Sequence, residues 1–154
     1  MRIDWLKLLA CFVVCFSAAV IGGFFTSSSI DTWYSGLEKP VFNPPNWVFG
    51  PVWTVLYSLM ALALYYYWVS KKSKRVGFMV FFAQLVLNAF WSIVFFGLRE
   101  VWLAFAIILL LEAFILGSIY YFNKTSRKSA LLLVPYAFWV GFASVLNYFI
   151  GVLN

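Results

Sequence analysis

The chain has 154 residues, of which 65% are hydrophobic and 10% charged, with a formal charge of +6 and no histidine, and its mean hydropathy is +0.94. A soluble globule is about half apolar and about a quarter charged, and a domain of this size leaves too much surface in water to hide the excess. A water-soluble enzyme, a disordered chain and, with only two cysteines, a disulfide scaffold are excluded; short basic clusters between apolar runs speak for a polytopic membrane protein and against a nucleic-acid partner.

In chain order, residues 8–25, 47–70, 76–98 and 129–154 carry no charge, and 101–123 carry only Glu112. Crossing hydrocarbon takes about 20 apolar residues in a helix, and lipid cannot satisfy an open backbone. The expectation is an all-α membrane protein, a five-transmembrane-helix bundle over 1–154 as one domain. Its helices are predicted at about 5–25, 47–70, 76–98, 101–123 and 129–153. The first 23 residues mimic a signal peptide, but the apolar run is long for one and lacks a clean cleavage site, so a retained helix is expected.

Orientation follows from Lys and Arg. Arg2, Lys7, Lys71, Lys72, Lys74, Arg75, Lys124, Arg127 and Lys128 fall on one side and only Lys39 and Arg99 on the other. The amino terminus and the basic loops are therefore predicted to be cytoplasmic. Three connections are short, which points to antiparallel neighbours. The loop 26–46 is long and apolar. Ser29 or Asp31 is suited to cap a short helix with Trp33, Tyr34 and Leu37 on one face, and the prolines Pro40, Pro44 and Pro45 keep the rest of the loop extended. The loop reads as a lid across the outer mouth. Pro51 is expected to leave a carbonyl one turn back unpaired and to bend the start of the second helix.

Polar and aromatic residues recur at helical offsets in three spans: Trp53, Tyr57 and Leu64; Gln84, Asn88, Trp91 and Phe95; Tyr136, Trp139, Ala143 and Asn147. Such offsets stack along one face. An amide facing hydrocarbon is costly, so Gln84, Asn88 and Asn147 are predicted to point inward. Any one of them is equally well explained as a bond between helices, and Trp5, Trp47, Trp68 and Trp102 as an interfacial belt. Together, the three stripes describe an aromatic-walled cavity with a few hydrogen-bonding points, the usual make-up of a small-molecule site.

Glu112 lies at the centre of its span, where proton transfer and a structural role are equally supported. At 100° per residue it lies about 200° from Leu110 and cannot share a cavity with Ala106 and Leu110. Cys11 and Cys15, one turn apart, read as small packing residues. Without histidine or a carboxylate cluster, conventional hydrolytic or metal-dependent catalysis has no apparatus, and no metal site is expected. A tetrapyrrole would bind by ring stacking and polar contacts, without a histidine axial ligand.

Trp33-Tyr34, then Leu37-x-Lys39-Pro40-x-Phe42-x-Pro44-Pro45-x-Trp47-x-Phe49-x-Pro51-x-Trp53, then Gln84-x-x-x-Asn88-x-x-Trp91 with Phe95-Phe96-Gly97, and finally Pro135-Tyr136-x-x-Trp139-x-x-Phe142-Ala143-x-x-Leu146-Asn147-Tyr148 resemble the tryptophan-rich sensory protein or translocator protein family (TspO/MBR). The resemblance implies a five-helix bundle, a homodimer in lipid, and binding of porphyrins such as protoporphyrin IX, of haem-like tetrapyrroles, sterols and isoquinoline- or benzodiazepine-type ligands, with no obligatory cofactor. Carried over, the pocket walls are Phe49, Gly50, Val52, Trp53, Asn88, Trp91, Ala106, Leu110, Trp139, Ala143 and Leu146; the stripes and lid add Trp33, Tyr57 and Asn147. The basic residue that ends the animal sterol pattern is absent after Tyr148. The small-x-x-x-small pattern in the third helix fails at Met79 and Ala83, while Ala18–Gly22, Ala113–Gly117 and Ala137–Gly141 have that spacing. The expected function is a receptor or carrier for flat apolar ligands in a multi-pass protein of a prokaryotic cell membrane; the alternatives are light-dependent porphyrin degradation by pocket tryptophans and proton-coupled export through Glu112.

Overall fold

The computed structural model describes residues 3–71 and 74–154; Arg2 and Lys72, which entered the charge count, lie outside the described residues. Five long helices make up the chain: α1 (Trp5–Ser29), α2 (Phe49–Trp68), α3 (Arg75–Ser92), α4 (Val101–Asn123) and α5 (Arg127–Leu153). A 3-10 turn at Asn46–Val48 leads into α2, and a π-helical turn at Ile93–Gly97 extends α3. All five are long and apolar enough to cross a membrane. The protein is an integral multi-pass membrane protein.

The helix ends have local causes. Asp4 caps α1, its carboxylate accepting from the Lys7 amide at 3.2 Å and pairing with the Lys7 ammonium at 3.1 Å; these bonds hold its carboxyl below the usual value. Ser126 caps α5 through the Ser129 amide. α1 runs further than predicted, to Ser29, and the Ser29 hydroxyl caps nothing: it donates to the Phe96 carbonyl at 2.8 Å. Asp31 begins no helix either; the lid carries a single 3-10 turn, Tyr34–Gly36. Pro51 sits in the first turn of α2, where amides lack intrahelical partners, so its missing N–H costs less than expected.

The helices form a ring in the order α1, α2, α5, α4, α3. The short loop between α2 and α3 makes them antiparallel but does not pack them side by side, contrary to the expectation from loop length. α1 lies against both, and long side chains bridge the rest: Tyr67 meets Phe78 at 5.0 Å between ring centroids. α1 fits there because its buried face is small, with Cys11, Cys15, Ala18 and Gly22. A Cβ on Gly22 would come within 3.0 Å of the Ser92 hydroxyl. The Ala18–Gly22 spacing is thus used inside the chain. Near the connecting loops, Phe122 stacks between Tyr67 at 4.0 Å and Phe81 at 5.5 Å.

The lid packs down as expected. Tyr34, 2% exposed, sets its ring against Phe49, Phe95 and Phe96. Its hydroxyl donates to Asn43 Oδ1 at 2.7 Å. The Lys39 ammonium lies 5.0 Å above the same ring and donates to the Ser35 and Leu37 carbonyls. Further along, Phe42 meets Phe142 and Phe149 of α5.

Candidate functional site

The beginning of α2 sets one wall of a cavity. Asn46, Phe49, Gly50, Trp53, Thr54 and Tyr57 recur at three- and four-residue steps, so they share a face. The facing wall is α1, with Phe16, Ala19, Gly22, Gly23, Thr26, Ser27 and Ile30. Asn88 and Ser92 of α3, one turn apart, close the back. The enclosed volume is about 350 Å³, within the range of small-molecule sites. Among the described residues no charged side chain lines it.

A polar relay holds the back wall. The Tyr57 hydroxyl donates to Asn88 Oδ1, and Asn88 Nδ2 donates to the Tyr136 hydroxyl at 2.9 Å. The relay joins α2, α3 and α5 through groups that would each be costly if left unpaired in an apolar interior. Trp53 packs on Tyr57 at 5.6 Å and on Tyr136 at 6.2 Å. Its indole is therefore held on two sides where it borders the cavity. This arrangement can stack a flat ring and offer it neutral hydrogen-bonding groups.

Of the sequence-predicted site residues, Phe49, Gly50, Trp53, Tyr57 and Asn88 come together in this lining. The others lie elsewhere. Trp139 stands behind Phe49 at 6.2 Å and against Phe142 at 5.6 Å. Trp91 is 8% exposed; its indole N–H donates to Asn147 Oδ1 at 3.1 Å, and Asn147 Nδ2 donates to the Val101 carbonyl at 2.9 Å. That pair ties α3 to α5 and to the start of α4. Trp33 lies in the lid over Phe95 at 5.6 Å. Val52 and Ala143 are partly buried against the core and Leu146 is buried within it. Ala106 and Leu110 are on the exposed face of α4, with Leu110 49% exposed, opposite the buried face of Ala104, Ile108, Leu111 and Ile115. The cavity is thus bounded by α1, α2 and α3, where the stripes had pointed to α2, α3 and α5, because the α5 stripe packs into the protein's own aromatic residues.

The α1 wall was missed from sequence. Phe16, Ala19, Gly23, Thr26 and Ile30 do follow helical steps, but small residues and hydroxyls carry little contrast in an apolar span. Ser92 follows Asn88 by one turn and could have been added to its stripe. Gln84 is buried as predicted, 1% exposed, and among the described residues neither of its amide atoms nor one buried Glu112 carboxyl oxygen finds a hydrogen-bond partner. Among the described residues no group of three or more His, Cys, Asp or Glu is placed to hold a metal ion.

The comparisons with known proteins agree with the motifs. A family model described as "TspO/MBR family" matches residues 11–153. The tryptophan-rich protein TspO of Archaeoglobus fulgidus is 44% identical over 97% of this chain and 97% of its own length. The tryptophan-rich sensory protein of Cereibacter sphaeroides is 34% identical over 96% and 91%, and the translocator protein of Homo sapiens is 37% identical over 75% and 71%.

Proposed function

The chain belongs to the TspO/MBR family, and from that premise we propose that it is a membrane receptor or carrier that takes tetrapyrroles and similar flat apolar ligands into the cavity between α1, α2 and α3. One observation carries the reading: Trp53, braced by Tyr57 and Tyr136, borders a cavity whose other described groups are aromatic, small or neutral and polar, apart from the aliphatic Ile30. Such a lining favours ring stacking over ionic capture. The bacterial and archaeal relatives support a prokaryotic cell membrane, and the distribution of Lys and Arg supports a cytoplasmic amino terminus. The family resemblance supports a homodimer.

Titration of the purified protein with protoporphyrin IX while following tryptophan fluorescence tests the proposal. Saturable quenching that weakens in Trp53→Ala is expected. Quenching that never saturates, or that is the same in wild type and Trp53→Ala, overturns it.

A further inference from the structure

The seam between α1 and α2 carries glycines of the cavity lining on both helices. Gly23 and Gly50, on the two helices, are both exposed, and a Cβ on either would meet no atom within 4 Å. The α1 wall runs from Phe16, near the middle of α1, to Ile30, just past its lid end, a rise of about 21 Å at 1.5 Å per residue. It occupies the lid-side half of the helix, so the seam faces the lid-side leaflet and its headgroups.

Packed residues stand on other sides. Toward water, Tyr34 is wedged against Phe49, Phe95 and Phe96. At Glu38 the lid is held to the end of α5 by one side-chain amide: Asn154 Oδ1 accepts from the Glu38 amide at 3.0 Å, and Asn154 Nδ2 donates to the Glu38 carbonyl at 2.9 Å. Toward α5, the Tyr57–Asn88–Tyr136 relay and the Trp53 ring form a solid wall.

The seam is also chemically suited to hydrocarbon. Its hydroxyls are satisfied within their own helices: Thr26 on the Gly22 carbonyl at 2.9 Å, Ser27 on that of Phe24 at 3.2 Å, and Thr54 on that of Gly50 at 2.9 Å. A passage lined this way needs no water to stay solvated.

We infer that ligands enter the cavity sideways, from the bilayer leaflet on the lid side through the α1–α2 seam, rather than from water past the lid. This rests on the reading of the cavity as a ring-ligand site, and it selects ligands that first dissolve in the membrane and keep any charged group at the headgroup level.

The test is stopped-flow tryptophan quenching by protoporphyrin IX with the full chain in lipid nanodiscs. Gly23→Leu fills the seam at a position with free space, and a leucine there favours the helix, so folding is expected to survive and is checked by circular dichroism. Because Gly23 also lines the cavity, dissociation is followed alongside. A narrowed passage is expected to slow association and dissociation together, roughly tenfold in Gly23→Leu and less in Gly23→Ala, whereas slower association with faster dissociation marks a weakened site and counts against lateral entry. Asn154→Ala, which removes two hydrogen bonds between the lid and the end of α5, is expected to leave the rate within about twofold. The rate should follow porphyrin per lipid rather than porphyrin per volume of water. Faster association in Asn154→Ala with an unchanged rate in Gly23→Leu overturns lateral entry while leaving the binding site intact. Absence of saturable quenching in the wild type removes the binding site, and the entry route with it.

Discussion

Asn88 Nδ2 donates to the Tyr136 hydroxyl at 2.9 Å, joining two helices that are not consecutive in the chain. The same amide accepts from Tyr57 through its oxygen, so one side chain satisfies two buried hydroxyls. Asn88→Leu leaves both without it and is expected to cost about 2–3 kcal/mol, at the upper end for buried unpaired groups. Tyr136→Phe removes one hydroxyl and is expected to cost about 1 kcal/mol. Unfolding in mixed detergent, followed by circular dichroism, ranks the two; an equal or reversed order contradicts the relay.

A second expectation concerns the loop between α2 and α3. The Tyr67 hydroxyl both donates to the Lys74 carbonyl and accepts from the Lys74 amide, each at 2.9 Å. Its ring lies where a Cβ on Gly77 would sit. Gly77→Ala should therefore destabilise by about 1–3 kcal/mol, as overpacking does. Gly141, in α5 with no atom within 4 Å of an added Cβ, makes the control: Gly141→Ala should be neutral or stabilise by about 0.5–1 kcal/mol through helix propensity. Melting temperatures in one detergent compare the two.

The tryptophans should separate in ligand binding. Trp53 borders the cavity directly, while Trp139 reaches it only by way of Phe49. Trp53→Ala is expected to weaken protoporphyrin IX binding by about 2 kcal/mol, roughly thirtyfold in Kd. Trp139→Ala should have a several-fold smaller effect. Equal losses in fluorescence titrations would mean that the ligand extends across to α5.

The lid should loosen at alkaline pH. Burial pushes the Tyr34 hydroxyl up from its ordinary 10.0 to about 12, with the bond to Asn43 opposing in part. In the packed lid the proton is held more tightly than in a detached one. The contribution of Tyr34 to lid closure is therefore fully present below about pH 10 and is lost as pH rises toward 12. Tyrosinate absorbance in wild type minus Tyr34→Phe should show a late-titrating group; a difference titrating near pH 10 contradicts the buried placement.

Much of this was legible before any coordinates. The five spans follow from runs of apolar residues between charged connections, interrupted within a run only by Glu112, since hydrocarbon imposes a length and a closed backbone on each segment separately. The inward placement of Gln84, Asn88 and Asn147 follows from the cost of a bare amide in lipid. The lid's packing follows from its own aromatic content at Trp33, Tyr34 and Phe42.

Neighbourhood was not legible in the same way. That α1 lies between α2 and α3, so that Gly22 meets Ser92 and α1 supplies a cavity wall, depends on how small faces nest against large ones around the whole ring. That Trp91 turns to Asn147, and Trp139 to Phe49, depends on which partner each indole reaches once five helices are packed. Hydropathy and spacing are properties of one helix at a time and determined what spans the membrane and which faces turn inward. The rotation and order of the helices, and hence which inward residues border a cavity, were decided by side-chain fit between segments far apart in the chain.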